Sequence, residues 1–62
     1  MKKTIKFRLD GHWDGTGTIE TDRLAENDPY EVTLAAPCKE FATGSKILVF
    51  TEEIYEISDF IP

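Results

Sequence analysis

The sequence has a single cysteine, Cys38, among its 62 residues. One cysteine cannot form an internal disulfide, so the disulfide framework of small secreted domains is excluded. The apolar runs are also short, and none approaches the roughly 20 residues of a membrane-spanning helix. The basic start of the chain contains no apolar stretch of about 7–15 residues, so no signal peptide is predicted. These absences together predict a cytoplasmic protein.

Cations are scarce, with seven Lys and Arg against twelve Asp and Glu, for a net charge of −5. The charge is also unevenly distributed. Residues 1–9 carry four basic side chains and no acid, whereas residues 10–31 carry seven acids and one arginine. Binding to a nucleic-acid backbone depends on a basic face that neutralises phosphates. The sequence therefore argues against a nucleic-acid partner, and the basic start is predicted to be one solvated strand face.

Metal ligands of the soft type are limited to His12 and Cys38. A structural zinc site takes a full tetrahedral set in paired spacings, and a reactive cysteine needs a nearby histidine, so neither is predicted. Asp10 and Asp14 fall at the spacing of a calcium loop. However, His12 replaces an oxygen ligand there, and the flanking segments have strand patterns rather than helical ones. No metal site is predicted.

The sequence offers no catalytic constellation either. The glycines at positions 11, 15 and 17 match neither the dinucleotide fingerprint nor the phosphate-binding loop. Glu52 and Glu53 are adjacent, and neighbours along a strand point to opposite faces, so they do not converge as general acid–base chemistry requires. We therefore predict that the protein is not an enzyme, with no cofactor and no small-molecule substrate.

Alternation of apolar and polar residues predicts β-strands along most of the chain. In the clearest case, Ile5, Phe7 and Leu9 alternate with basic residues, which is the period of a half-buried strand. The predicted strands cover residues 4–9, 16–21, 30–34, 46–51 and 54–58. Residues 46–51 are apolar at nearly every position, which predicts a central strand or one that crosses between sheet faces.

The connections between these strands are short. Trp13 is predicted to lie in a glycine-rich turn, and Gly17 in a bulge or a close backbone contact. Residues 22–28 form the one segment with helical character. They are predicted to be either up to two helical turns with Asp22 as N-cap or a loop with a single turn. Glu52–Glu53 is the predicted tip of the last hairpin.

Five short strands with tight connections predict a small all-β domain over residues 1–62, with at most one short helix around residues 22–28. The expected architecture is an antiparallel meander curled into a half-open barrel, because curling lets the inner face of the sheet bury itself. The number and length of the strands are similar to those of SH3-like barrels. This likeness concerns architecture and implies no function. A sheet covered by a short helix at 22–28 is the alternative.

Aromatic side chains at the ends of strands are the main candidates for a functional surface. Trp and Tyr flanked by polar residues often supply most of the binding energy at protein interfaces. Trp13 has a second interpretation, in which its ring closes the open end of the barrel. The candidate interaction residues are Trp13, Tyr30, Tyr55, Phe60, Glu52 and Glu53.

Two classes of function fit these features. The first is a non-catalytic protein-interaction module, as a monomer or a homodimer, that binds through a sheet edge or an aromatic patch. The alternative is an acidic inhibitor or nucleic-acid mimic that docks to a basic groove of a partner protein. In size and charge the chain resembles small acidic proteins of bacterial viruses. A third class, binding of single-stranded nucleic acid by aromatic residues, requires a basic groove and is disfavoured by the charge.

Overall fold

Five β-strands form one antiparallel sheet in the computed structural model, which describes residues 1–21 and 23–60. The strands are β1 (Lys2–Leu9), β2 (Trp13–Glu20), β3 (Tyr30–Leu34), β4 (Lys46–Val49) and β5 (Ile54–Asp59). Two single turns of 3₁₀-helix, η1 (Leu24–Glu26) and η2 (Thr51–Glu53), lie between strands. The described part of the chain contains no α-helix, and the predicted all-β fold is confirmed.

The strand order across the sheet is β4-β3-β2-β1-β5. Strands β1 to β4 follow one another in sequence, as the predicted meander requires. The last strand instead crosses to the far side and pairs antiparallel with β1. Strands β4 and β5 are therefore the two edges of the sheet. This arrangement agrees with a half-open sheet.

The β1–β2 hairpin is long, with paired residues from Lys2 and Glu20 to Leu9 and Trp13. Its turn places Asp10 and Gly11 in the left-handed region, with φ of 54° and 66°. Trp13 was predicted to lie in this turn, and that prediction is wrong. The two left-handed residues reverse the chain within a few positions, so that Trp13 is already the first residue of β2 and faces Leu9.

The core lies on one face of the sheet, and its residues come from every strand from β1 to β4. The buried hydrophobic residues are Ile5, Phe7, Leu9, Ile19, Tyr30, Val32, Leu34, Cys38, Ile47 and Val49. These side chains form one cluster on the inner face of the sheet. This single buried face is consistent with the predicted half-open sheet.

Glycine permits close packing against β2 at two positions. A Cβ atom at Gly15 would lie 2.6 Å from the Phe7 ring, and one at Gly17 would lie 2.6 Å from the backbone oxygen of Thr33. Real Cβ atoms do not approach other atoms this closely, so only glycine fits at either site. The predicted close backbone contact at Gly17 is confirmed.

Two expectations about the second half of the chain are wrong. The apolar segment 46–51 was expected to form a central or crossing strand, but β4 is an edge strand with Leu48 exposed. Glu52–Glu53 was expected at a hairpin tip, but β4 and β5 do not pair, and these residues belong to η2. The reason for both is the same. Because β5 pairs with the free side of β1, no strand in the described part of the chain pairs with the outer edge of β4.

The segment with helical character contains only the single turn η1, which matches the looser of the two predictions for residues 22–28. The predicted N-cap, Asp22, lies outside the described residues. The hydroxyl of Tyr30 donates a hydrogen bond to the backbone carbonyl of Arg23 and so ties the start of this segment to the core.

Candidate functional site

An open cleft lies where the β1–β2 turn approaches η2 and the beginning of β5. Its volume is about 510 Å³. We call it the η2 cleft, and its lining residues are Arg8, Asp10, Gly11, Glu52, Glu53 and Tyr55. Residues 8–11 and 52–55 are far apart in sequence. The pairing of β5 with β1 brings them together.

Hydrogen bonds hold the backbone of the turn η2 and the side chain of Glu53. The backbone N–H of Glu53 donates to the carbonyl of Phe50 at 2.9 Å. In return, Oε1 of Glu53 accepts a hydrogen bond from the Phe50 N–H at 3.1 Å. The N–H of Thr51 donates to Oδ1 of Asp28 at 2.9 Å. Side chains from two segments thus satisfy the first amides of the turn, where a helical turn lacks partners of its own.

A β-bulge places Tyr55 in the cleft. Phe7 pairs with Ile54 and Lys6 pairs with Glu56, so Tyr55 is an extra residue on β5 that has no paired residue on β1. A bulge of this kind re-aims a side chain out of the regular alternation. Tyr55 remains 57% exposed. Its ring is therefore an exposed aromatic surface beside the carboxylates of η2.

Arg8 supplies the cation of the cleft and is fixed from two sides. Its Nε donates to Oδ1 of Asp14 at 2.8 Å, and its guanidinium carbon lies 5.7 Å from the centre of the Tyr55 ring. The hydrogen bond and charge of Asp14 raise the pKa of Arg8 above its usual value. Arg8 therefore stays charged and supports the ring by a cation–π contact.

The remaining carboxylates give the cleft an acidic character. Asp10 pairs with Lys39 at 3.2 Å. Within residues 1–21 and 23–60, neither Glu52 nor Glu53 takes part in an ion pair. The cleft therefore combines two carboxylates that form no ion pair with the described residues, one arginine that is bonded to Asp14, and one exposed aromatic ring.

Of the six predicted interaction residues, the structure brings together Glu52, Glu53 and Tyr55. Trp13 is 41% exposed, does not line the cleft, and meets the His12 ring edge-on at 4.9 Å. Phe60 is 38% exposed and lies 4.7 Å from the amino group of Lys2. Tyr30 requires a correction, because it is 3% exposed and its ring belongs to the core. The alternation of residues 30–34 predicts this inward position.

The sequence reasoning missed Arg8 and Asp10 as members of the site. The sequence predicts a solvated strand face for the basic residues that include Arg8, and it places Asp10 only at the spacing of a calcium loop, where no metal site is predicted. A local pattern could not have joined them to residues 52–55, because the β5–β1 pairing that does so is set by the whole sheet. The one sequence feature that could have indicated Arg8 is the alternation of β1, which turns this side chain away from the core.

The groups considered for metal binding and catalysis do not assemble. No group of three or more His, Cys, Asp or Glu side chains in the described ranges could hold a metal ion. Burial raises the pKa of the Cys38 thiol, whose Sγ lies 3.4 Å from the carbonyl of Asp14. A raised pKa disfavours the nucleophilic thiolate. Cys38 instead packs as a small core residue.

Membrane insertion through a helix has no support in residues 1–21 and 23–60, where no helix has the length and apolarity needed to cross a bilayer. Comparison with protein-family models, with characterised proteins and with solved structures found no match to this chain. The functional argument therefore depends on the geometry of the η2 cleft.

Proposed function

We propose that the chain is a non-catalytic protein-interaction module of the cytoplasm that binds a basic segment of another protein in the η2 cleft. The observation that carries the proposal is that Glu52 and Glu53 line one cleft together with the exposed ring of Tyr55. An arginine or lysine of the partner would meet the two carboxylates. An adjacent apolar side chain would pack on the aromatic ring.

Preorganisation supports this function. Hydrogen bonds to Phe50 and from Thr51 to Asp28 hold η2 before any partner arrives. Arg8 and Asp14 likewise restrain the Tyr55 ring. Binding to groups that are already ordered costs less conformational entropy than binding to mobile ones. The site is open and broad rather than enclosed, which suits an extended peptide better than a small molecule.

The experiment is a selection of random extended peptides on the immobilised protein, followed by NMR titration of the ¹⁵N-labelled chain with one enriched peptide. We expect enriched peptides to combine a basic residue with a neighbouring apolar one. The largest shift changes should fall on Arg8, the η2 turn and Tyr55. Enrichment of peptides without a basic residue, or shift changes centred elsewhere, would contradict the proposal.

Matched variants separate charge from structure. Glu53→Gln keeps an Oε1 acceptor for the Phe50 amide but removes the charge, so it should preserve the turn and weaken peptide binding about three- to tenfold. Tyr55→Ala should weaken binding to a similar degree. Glu40→Gln removes an exposed carboxylate outside the cleft and should leave affinity unchanged.

The acidic inhibitor or nucleic-acid mimic is a second candidate, and one observation favours it. Asp28, Glu52 and Glu53 gather around a single turn, and none forms an ion pair with the described part of the chain. If this second function is correct, enriched peptides should contain basic residues without a neighbouring apolar one, and Tyr55→Ala should leave peptide affinity unchanged. Binding should also fall steeply between about 50 and 300 mM salt, since exposed charge pairs are screened.

A further inference from the structure

The outer edge of β4 has backbone groups that no strand within residues 1–21 and 23–60 covers. The N–H of Leu34 donates to Ser45, so the amide and carbonyl of Leu34 point towards β4. In an antiparallel pair this direction alternates along the strand. The paired residues Val32 and Ile47 therefore bond to each other, while the backbone groups of Lys46 and Leu48 point out of the sheet.

The side chains along this edge are also mostly apolar. Ile47 and Val49 face the core, whereas Leu48 is 65% exposed and Phe50, just beyond the strand, is 48% exposed. Lys46 is exposed on the same outer face. Alternate residues along the edge thus carry a cation (Lys46), an aliphatic side chain (Leu48) and an aromatic ring (Phe50).

We propose that this edge pairs with the β4 edge of a second copy of the chain, around a two-fold axis at Leu48. Such an axis makes the contact self-complementary. Leu48 would face Leu48 of the second copy and exchange two backbone hydrogen bonds with it. Lys46 would face Phe50 of the second copy, which permits a cation–π contact on each side of the axis.

The charge distribution favours β4 over β5 as the edge where two copies can meet. Two chains of net charge −5 repel each other over most of their surfaces. Residues 41–51 contain no acid, so two copies can approach along β4 without opposing carboxylates. The other edge, β5, carries Glu56 and Asp59 and lacks this advantage.

The contact is short, and the association should be weak. At one end of the edge, the Phe50 N–H and C=O are already bonded to Glu53, which limits the ladder between copies to the residues around Leu48. An interface of this size lies at the low end for specific complexes. We expect a dissociation constant on the order of 0.1–1 mM. The contact shares no residue with the η2 cleft and does not depend on the proposed function.

The test is sedimentation of the wild-type chain and two variants, from about 10 µM to about 2 mM, a range that brackets the expected dissociation constant. We expect the wild-type mass to rise from 7.1 kDa towards twice that value. Leu48→Asp places two carboxylates face to face and should weaken association at least about tenfold. Tyr55→Asp adds the same charge at a similarly exposed apolar position of β5 and should leave association unchanged.

A filtered NOE experiment on a mixture of labelled and unlabelled chains identifies the surface directly. Contacts between copies should join Leu48 methyl groups across the axis, and Lys46 to the Phe50 ring. A mass of 7.1 kDa over the whole concentration range would overturn the proposal. So would a dimer that Tyr55→Asp dissociates and Leu48→Asp does not. Because Leu48 is largely exposed, Leu48→Asp should keep the dispersed amide spectrum of the folded chain. A dispersed spectrum together with lost association would show that the variant disrupts the contact at the β4 edge and not the fold.

Discussion

At the scale of single residues, Gly17 shows how closely two strands approach each other. It pairs with Ile5 on one side and Leu34 on the other. A Cβ atom there would lie 2.5 Å from a Val32 methyl group and 2.6 Å from the Thr33 carbonyl oxygen. One of these atoms belongs to the backbone and cannot rotate away. Gly17→Ala must therefore push β3 away from β2.

We expect Gly17→Ala to lower the free energy of unfolding by about 2–3 kcal/mol, the upper part of the usual cost of overpacking. Urea denaturation followed by circular dichroism measures this change. Gly11→Ala is the matched control, because a Cβ atom there has no neighbour within 4 Å and only the φ of +66° opposes it. Its cost should be about 1 kcal/mol. Equal costs for the two variants would contradict the close contact at Gly17.

A second residue-scale effect concerns acid stability. The hydrogen bond and charge of Lys3, at 2.6 Å, hold the pKa of Asp59 below its usual value. A carboxyl whose pKa is lower in the folded state adds stability above its unfolded pKa, near 3.9. That contribution disappears as the pH falls through the folded pKa. The effect is small, because the Asp59 side chain is 80% exposed.

Thermal unfolding of wild type and Asp59→Asn between about pH 2 and pH 6 tests this linkage. The variant should melt at a slightly lower temperature near pH 6, and the two curves should converge as the pH falls below the unfolded pKa. Glu40→Gln serves as the control and should show no such convergence, since Glu40 forms no ion pair with the described residues. A difference that grows towards low pH would refute the assignment.

At the scale of elements, the prediction from sequence was best where one face of a strand is buried. The alternation of Ile5, Phe7 and Leu9 and that of residues 30–34 both predicted the inner face correctly. The prediction failed where apolar residues are exposed. Leu48 and Phe50 look like core residues in sequence, yet they lie on an outer face. Whether a strand is an edge depends on which other strand pairs with it, and no local pattern contains that information.

The connection between β2 and β3 depends on one side chain of the following strand. Tyr30 is buried, and its hydroxyl donates to the carbonyl of Arg23, just before η1. Tyr30→Phe keeps the ring in the core and removes this bond, at an expected cost of about 0.5–1.5 kcal/mol. Amide hydrogen exchange should accelerate mainly over residues 23–28. Tyr55→Phe, at an exposed position, should change neither stability nor exchange in this segment.

At the scale of the whole molecule, the chain is near the lower limit for a stable single core. Domains of this size rarely gain more than about 3–5 kcal/mol from one hydrophobic core. Ten buried residues of the described ranges form that core, and Phe7 is the largest of their fully buried side chains. Its ring fills the space beside Gly15. The stability of the whole sheet, and with it the geometry of the η2 cleft, therefore depends on a few side chains.

Phe7→Ala should remove most of that stability. Truncation of a buried phenylalanine costs about 3–5 kcal/mol, because both the transfer free energy and the contacts around the cavity are lost. This equals the expected total, so at least half of the Phe7→Ala molecules should be unfolded at 25 °C. Phe7→Leu keeps much of the volume, and we expect it to fold with a cost of about 1.5 kcal/mol or less. The measurement is urea denaturation monitored by circular dichroism and by the dispersion of amide resonances. A cooperative transition of Phe7→Ala at the wild-type midpoint would show that the stability of this sheet does not depend on its buried inner face.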